Sequence, residues 1–123
     1  MAKKPILIVD DNSSIRSALQ FFFDKEGYQV TLACDGQEAI DILQKSHPLL
    51  FGMILVDYRM PVMNGSTFFV ELQSRHPEIF SQIPIFLMTA GTDSDHSSIK
   101  MTGFLQKPFD LDVLARIAAQ YCG

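Results

Sequence analysis

The sequence predicts an α/β fold: a doubly wound, five-stranded parallel sheet with helices on both faces. Uninterrupted apolar runs, such as the one that ends at Val56, are typical of strands buried on both faces. These runs alternate with segments in which apolar residues recur at helical spacing, and a repeated β-then-α order implies parallel strands covered by helices. The 123 residues contain no linker or internal repeat, so we expect one domain over residues 1–123.

The first β-α unit has an apolar strand over residues 5–9 and a helix over about 14–26 that ends at Gly27. Three consecutive polar residues can cap this helix: Asp11, Asn12 and Ser13. Five apolar residues are predicted to face the sheet: Ile15, Ala18, Leu19, Phe22 and Phe23. Phe21 falls off that face and is expected to be exposed.

The middle of the chain repeats the pattern. An alternating strand over 28–33 is followed by a turn and cap at Asp35 and Gly36, and then by a helix that stops near His47. Residues 52–56 form the third strand, and a loop over 60–65 leads to a helix over about 66–75. Ala39, Ile42 and Leu43 are the predicted inward positions of the second helix.

The last third contains strands over residues 83–88 and 103–106, and a final helix from the cap at Asp110 to about residue 121. Between these strands, a short helix is predicted to start at the capping residues 93–95.

Composition excludes several classes of function. No basic cluster exceeds Lys3 and Lys4, and the formal net charge is −4, so we expect no nucleic-acid binding. No apolar segment approaches membrane-spanning length and no apolar signal region begins the chain, so we expect a cytoplasmic protein without a membrane partner. In that compartment Cys34 and Cys122 are expected to be free thiols.

Charged and hydroxyl residues stand where the predicted strands end. Asp10 and Asp11 follow the first strand and Asp57 follows the third. Thr89 and Lys107 follow the fourth and fifth. The carboxyl ends of parallel strands meet at one sheet edge, where open α/β sheets bind their ligands. We therefore expect these five side chains to converge.

Converging carboxylates require a cation, because two of them about 4 Å apart repel by about 4 kcal/mol at an effective dielectric near 20. Oxygen-only ligands suit Mg²⁺, and the absence of His or Cys at ligand spacing disfavours Zn²⁺. With Lys107 and Thr89 added, the set resembles a phosphoryl-transfer site with Asp57 as the nucleophile. Three of the five residues also have an ordinary interpretation when taken singly: Asp11 as a helix cap, Thr89 as a strand end, and Lys107 as a solvated lysine.

Four segments, in order, resemble the signatures of response-regulator receiver domains of two-component signalling. They are Asp10 with Asp11, the run from Asp57 to Gly65 (DYRMPVMNG), Met88 to Ala90 (MTA), and Lys107 to Phe109 (KPF). The resemblance covers nearly the whole chain. It implies the flavodoxin-like strand order 2-1-3-4-5 and a protein that catalyses only its own phosphorylation and dephosphorylation, rather than an enzyme with a separate substrate.

The resemblance also implies individual roles. Asp57 is the expected phosphoacceptor, supplied by a phosphohistidine of a sensor histidine kinase or of a histidine phosphotransfer protein. Asp11, Asp57 and the backbone carbonyl of Arg59 are the expected Mg²⁺ ligands, with Asp10 acting through water. Lys107 pairs with Asp57 and then with the phosphoryl group, and Thr89 moves toward it. Phe104 matches an aromatic switch residue whose rotamer changes when Thr89 moves.

The chain departs from the family pattern between Thr89 and Lys107, which lie roughly one helical turn (~4 residues) closer together than usual. Relative to the family, the fourth helix is therefore expected to be short or irregular. This shortening falls on a face that the family uses for output, so a degenerate receiver kept as a phosphorylation-independent interaction module is the main alternative. A small phosphatase would need an acid two residues after Asp57, where Arg59 stands. In a flavin-binding protein, Asp10 and Asp11 would repel the phosphate.

Overall fold

A computed structural model describes residues 3–45, 50–58, 65–90, 103–107 and 109–123. The strands are β1 (Ile6–Val9), β2 (Val30–Ala33), β3 (Met53–Asp57), β4 (Ile85–Ala90) and β5 (Gly103–Lys107). The helices within the described residues are α1 (Ser13–Lys25), α2 (Gly36–Lys45), α3 (Gly65–Arg75), α4 (Pro77–Gln82) and α5 (Leu111–Tyr121). The strands form one parallel sheet in the order β2-β1-β3-β4-β5, so the predicted fold class and strand order are confirmed.

Alternate residues of the central strands face opposite sides of the sheet, and each side has its own core. On β1, Leu7 and Val9 join a cluster that includes residues of α2, α3 and α4. Ile6 and Ile8 join the other cluster, with residues of α1 and α5. Helices therefore cover both faces of the sheet. All of β1 and β3 is buried, which explains why both strands read as continuous apolar runs.

The cap predictions for the helices are largely confirmed. Asn12 is the cap of α1, where its side chain accepts a hydrogen bond from the Ile15 N–H, and Gly27 follows that helix with a φ of 88°. Asp110 accepts hydrogen bonds from two backbone N–H groups of α5. Phe21 is exposed as predicted. Ala18 was predicted to face the sheet and is instead exposed, because the buried face of α1 is centred on Leu19 and Phe23, with Ile15 and Phe22 packed beside them.

Helix α4 was not predicted. The sequence pattern ends the third helix at about residue 75 and predicts no helix between it and the next strand, yet Pro77 suits the first turn of a new helix because its missing N–H is not needed there. His76 separates the two helices, and Ile79 of α4 is fully buried in the core that α3 completes. The short helix predicted after β4, around residues 93–95, lies outside the described residues.

The structure also bears on the predictions about the cysteines and about membrane-spanning helices. Both cysteines are free thiols, Cys34 exposed and Cys122 buried. In the described part of the chain, no helix has the length and apolar character needed to cross a bilayer.

Candidate functional site

The end of β1 places Asp10 inside the protein, which is unusual for a carboxylate. Its side chain is 0% exposed. One carboxylate oxygen accepts a hydrogen bond from the Asn12 N–H at 2.9 Å, and the other lies 3.3 Å from the Lys107 ammonium. The Asp10 N–H donates to the Ala33 carbonyl at the end of β2. A buried charge requires such partners, so Asp10 is held in place by the structure rather than by solvent.

Asp57 is the last residue of β3 and lies across from Met88 of β4. It is 6% exposed, and its Oδ1 accepts a hydrogen bond from the Lys107 ammonium at 3.1 Å. Lys107, at the end of β5, thus bridges Asp10 and Asp57 across the sheet edge. Since β4 separates β3 from β5 in the sheet, only a long side chain such as that of lysine can make this contact.

The Lys107 ammonium has a pKa above its ordinary value. Burial acts to lower this pKa, but the hydrogen bond to Asp57 and the charges of Asp10 and Asp57 outweigh that effect. A raised pKa in the folded state means that the ion pair stabilises the fold below the pKa of an unfolded lysine and ceases to do so as pH rises through the folded value. Lys107 therefore remains charged throughout the neutral range.

Asp10, Asp11 and Asp57 form a group whose nearest carboxylate oxygens all lie within 4.8 Å of one another. Asp11 is exposed while the other two are buried, so the group opens toward solvent on one side. All of its donor atoms are carboxylate oxygens, the hard ligands that Mg²⁺ and Ca²⁺ prefer. The described residues contribute three donors to this group and leave one side open, which gives room for the several waters that Mg²⁺ usually retains. The residues present therefore fit Mg²⁺.

The structure also places the other predicted residues. Thr89 lies within β4, rather than just after it, and is 7% exposed. It stands one position beyond the residue that pairs with Asp57, so its backbone reaches the same edge of the sheet. The Phe104 backbone belongs to β5, but its side chain is not described. The backbone carbonyl of Arg59, the fourth predicted ligand, lies outside the described residues.

Sequence reasoning missed Arg16. Its guanidinium donates a hydrogen bond of 2.7 Å to the backbone carbonyl of Asp10. A lone arginine in the second turn of an exposed helix is ordinary, so the pattern contained no signal for this contact. Only the packing of α1 against the end of β1 reveals it.

A doubly wound parallel sheet with three acidic side chains and one lysine at its carboxyl edge defines a class of protein, the phosphoacceptor domains of two-component systems. The chain belongs to this class: residues 6–119 match the response regulator receiver domain family. Receiver domains are phosphoacceptors rather than enzymes that turn over a separate substrate.

Three relatives illustrate the match. Sporulation initiation phosphotransferase F of Bacillus subtilis (strain 168) is 36% identical over 125 residues, which cover 98% of this chain and 95% of that protein. The chain superimposes on the receiver domain of a sensor histidine kinase from Pseudomonas aeruginosa PAO1, which holds a magnesium ion in its active site cleft; the TM-score is 0.83, with 28% identity over 98% of both chains. Chemotaxis protein CheY4 of Vibrio cholerae gives a TM-score of 0.81, with 30% identity over 98% of this chain and 99% of that one.

The chain also resembles longer proteins. Several are transcriptional regulators, of which it spans about half the length: 44% of one, 47% of another and 53% of a third. The similarity to these regulators therefore concerns the receiver portion.

Proposed function

We propose that the protein, as a single receiver domain over residues 1–123, is a Mg²⁺-dependent signalling switch phosphorylated on Asp57. The observation that carries this proposal is the position of Asp57, which ends a buried strand with Lys107 at 3.1 Å and two further carboxylates within 4.8 Å. A structural ion pair would need only one carboxylate. Two additional acids beside it raise the electrostatic cost of the site, so their presence favours a bound cation.

In the proposed reaction, an Asp57 carboxylate oxygen forms a bond to the phosphorus atom of the donor. The bond between phosphorus and the donor's leaving atom breaks, and its electron pair remains with the leaving group: an imidazole nitrogen for a phosphohistidine, or an acetate oxygen for acetyl phosphate. Asp10, Asp11 and Asp57, with the Arg59 carbonyl, would hold the metal, which would offset charge on the transferred phosphoryl group. Lys107 would offset charge on the same group, because its ammonium already lies beside the acceptor.

The proposed donors are a sensor histidine kinase or a histidine phosphotransfer protein, and the proposed compartment is the cytoplasm. Family membership and the similarity to a sporulation phosphotransferase support these donors. The downstream protein partner is not specified by any residue described.

The first test is the mass of the intact wild-type protein after incubation with acetyl phosphate and Mg²⁺. We expect one phosphoryl adduct per chain, and none when EDTA replaces Mg²⁺. Acetate release is measured in parallel, because rapid hydrolysis of the aspartyl phosphate would remove the adduct while acetate accumulates. If neither a phosphoryl adduct nor released acetate is detected in the presence of Mg²⁺, the proposal is contradicted. That result would favour a receiver that acts only as an interaction module.

We further propose that Thr89 couples phosphorylation to a change in β4, with Phe104 following on β5. Thr89 is buried and stands one position beyond the residue that pairs with Asp57, so a hydrogen bond from its hydroxyl to the phosphoryl group would act directly on β4. Moving such an equilibrium from 1:99 to 99:1 takes about 5.5 kcal/mol of differential stabilisation. We expect Thr89→Ala to accept the phosphoryl group but to show smaller amide shift changes along β4. Identical changes in both proteins would remove Thr89 from the mechanism.

A further inference from the structure

Asp11 is the member of the acidic group whose carboxylate is held by the fewest contacts among the described residues. It is exposed, and among the residues that the structure describes no hydrogen bond to its carboxylate is found. Asp10 and Asp57, by contrast, both bond to Lys107. The position of the Asp11 carboxylate therefore depends on the backbone that presents it, between the end of β1 and the start of α1.

Arg16 holds that backbone through the carbonyl oxygen of Asp10. The carbonyl oxygen of Asp10 belongs to the peptide group that joins Asp10 to Asp11, and a peptide group is planar. The Arg16 guanidinium donates to this oxygen at 2.7 Å. Since the Asp10 Cα is fixed by β1 and by the Asp10 side-chain contacts, fixing the carbonyl sets the rotation of the whole plane. That rotation determines where the Cα of Asp11 lies and which way its side chain can extend.

The anchor for Arg16 is itself ordered. Arg16 lies in α1, and its own N–H bonds to the Asn12 carbonyl at 3.0 Å. The Asn12 side chain caps the same helix. The guanidinium is thus carried by a rigid element, which makes it suitable for holding a loop.

We propose that Arg16 is a positioning residue for the metal site: it holds the Asp10–Asp11 peptide plane so that Asp11 faces the ion. This inference rests on the proposed function, because it concerns the affinity of the same site for Mg²⁺. Electrostatics alone predicts the opposite effect. The Arg16 guanidinium is a positive charge bonded to the backbone of an acidic residue of this group, so it would repel a divalent cation and its removal should strengthen Mg²⁺ binding. The sign of the change therefore distinguishes positioning from simple charge.

The experiment compares Mg²⁺ dissociation constants of wild type, Arg16→Met, Arg16→Lys and Arg116→Met by calorimetric titration. Arg116 is an exposed arginine of α5 and provides a matched control. We expect Arg16→Met to bind Mg²⁺ about 10-fold more weakly, the lower end of the effects seen when a residue behind a metal ligand is removed. Arg16→Lys retains one donor and should recover part of the affinity, and Arg116→Met should match wild type.

A second readout separates positioning from a general loss of structure. At saturating Mg²⁺, the rate of phosphorylation of Arg16→Met by acetyl phosphate should return to within a few-fold of wild type. Binding of Mg²⁺ by Arg16→Met that is equal to or tighter than that of wild type would overturn the inference while leaving the proposed function intact. Failure of wild type itself to bind Mg²⁺ would overturn both.

One measurement needs no variant and applies if Arg16→Met does not fold. In the wild-type protein, the guanidinium protons of Arg16 should exchange with water more slowly than those of Arg116, because one of them is bonded to a part-buried carbonyl. Equal exchange rates for the two arginines would contradict the contact on which the inference depends.

Discussion

Replacing Asp57 by asparagine is expected to abolish phosphorylation and, at the same time, to stabilise the metal-free protein. The amide keeps the shape of the side chain but lacks a nucleophilic oxygen of comparable charge, so no phosphoryl adduct should form. Stability should rise because one of three mutually repelling charges disappears. Carboxylate oxygens within 4.8 Å repel by about 3 kcal/mol per pair at an effective dielectric near 20.

The gain is smaller than the sum of these repulsions. The substitution also removes the attraction between Asp57 and Lys107 at 3.1 Å, which is about 5 kcal/mol on the same scale. Solvent screens the repulsion from the exposed Asp11. We therefore expect a net gain of at most about 1 kcal/mol, with a rise in Tm of about 4 °C for each kcal/mol in a domain of this size.

Thermal unfolding with and without Mg²⁺ measures both effects. Wild type should gain about 2.7 kcal/mol when Mg²⁺ is present at 100 times its Kd, whereas Asp57→Asn should gain far less. Asp24→Asn, which changes an exposed carboxylate of α1, is the control and should behave as wild type. A variant that is less stable than wild type without Mg²⁺ would contradict the predicted stabilisation and show that the lost attraction to Lys107 outweighs the relieved repulsion. A phosphoryl adduct on Asp57→Asn would exclude Asp57 as the acceptor.

Replacing Lys107 by methionine should slow phosphorylation by acetyl phosphate about 10²–10³-fold, the usual cost of removing one donor that stabilises a developing charge. Methionine fills a similar volume without the ammonium that contacts Asp10 and Asp57. Mg²⁺ binding should be retained, because the variant keeps all three carboxylates and removes a competing cation. The loss should therefore appear in the rate at saturating Mg²⁺, which separates Lys107 from a residue that only positions a ligand.

The same variant has a pH signature. The Lys107 pKa is raised in the folded protein, so its contribution to stability is present at neutral pH and is lost as pH rises through that value. The difference in unfolding free energy between wild type and Lys107→Met should thus shrink in alkaline solution. Lys45→Met, at the exposed end of α2, should differ from wild type in neither measurement. A phosphorylation rate within a few-fold of wild type for Lys107→Met would remove the ammonium from the mechanism.

The sequence could predict those features that depend on local pattern. The parallel strands β1 and β3 are recognisable as apolar runs because both of their faces are buried. Charged residues at the carboxyl ends of parallel strands must then lie at one edge of the sheet. This reasoning predicts that Asp10, Asp11, Asp57 and Lys107 converge, and the structure brings these four side chains together. The strand boundaries were less accurate: Thr89 lies inside β4, because strand ends depend on hydrogen bonds to neighbouring strands that a sequence pattern does not show.

Other features were decided by tertiary packing. Helix α4 buries Ile79 in a core that it shares with α3. Pro77 by itself is compatible with either the end of one helix or the beginning of the next. The exposure of Ala18 depends on how α1 is rotated against the sheet. Arg16 is the clearest case, since its contact joins a helix to a strand carbonyl. Backbone carbonyls are identical at every position of a sequence, so a bond between a side chain and one of them becomes visible only when the chain is folded. The residue types thus determined the chemistry available at this edge of the sheet, whereas the packing of α1 against β1 decided how the two acids of that loop are held.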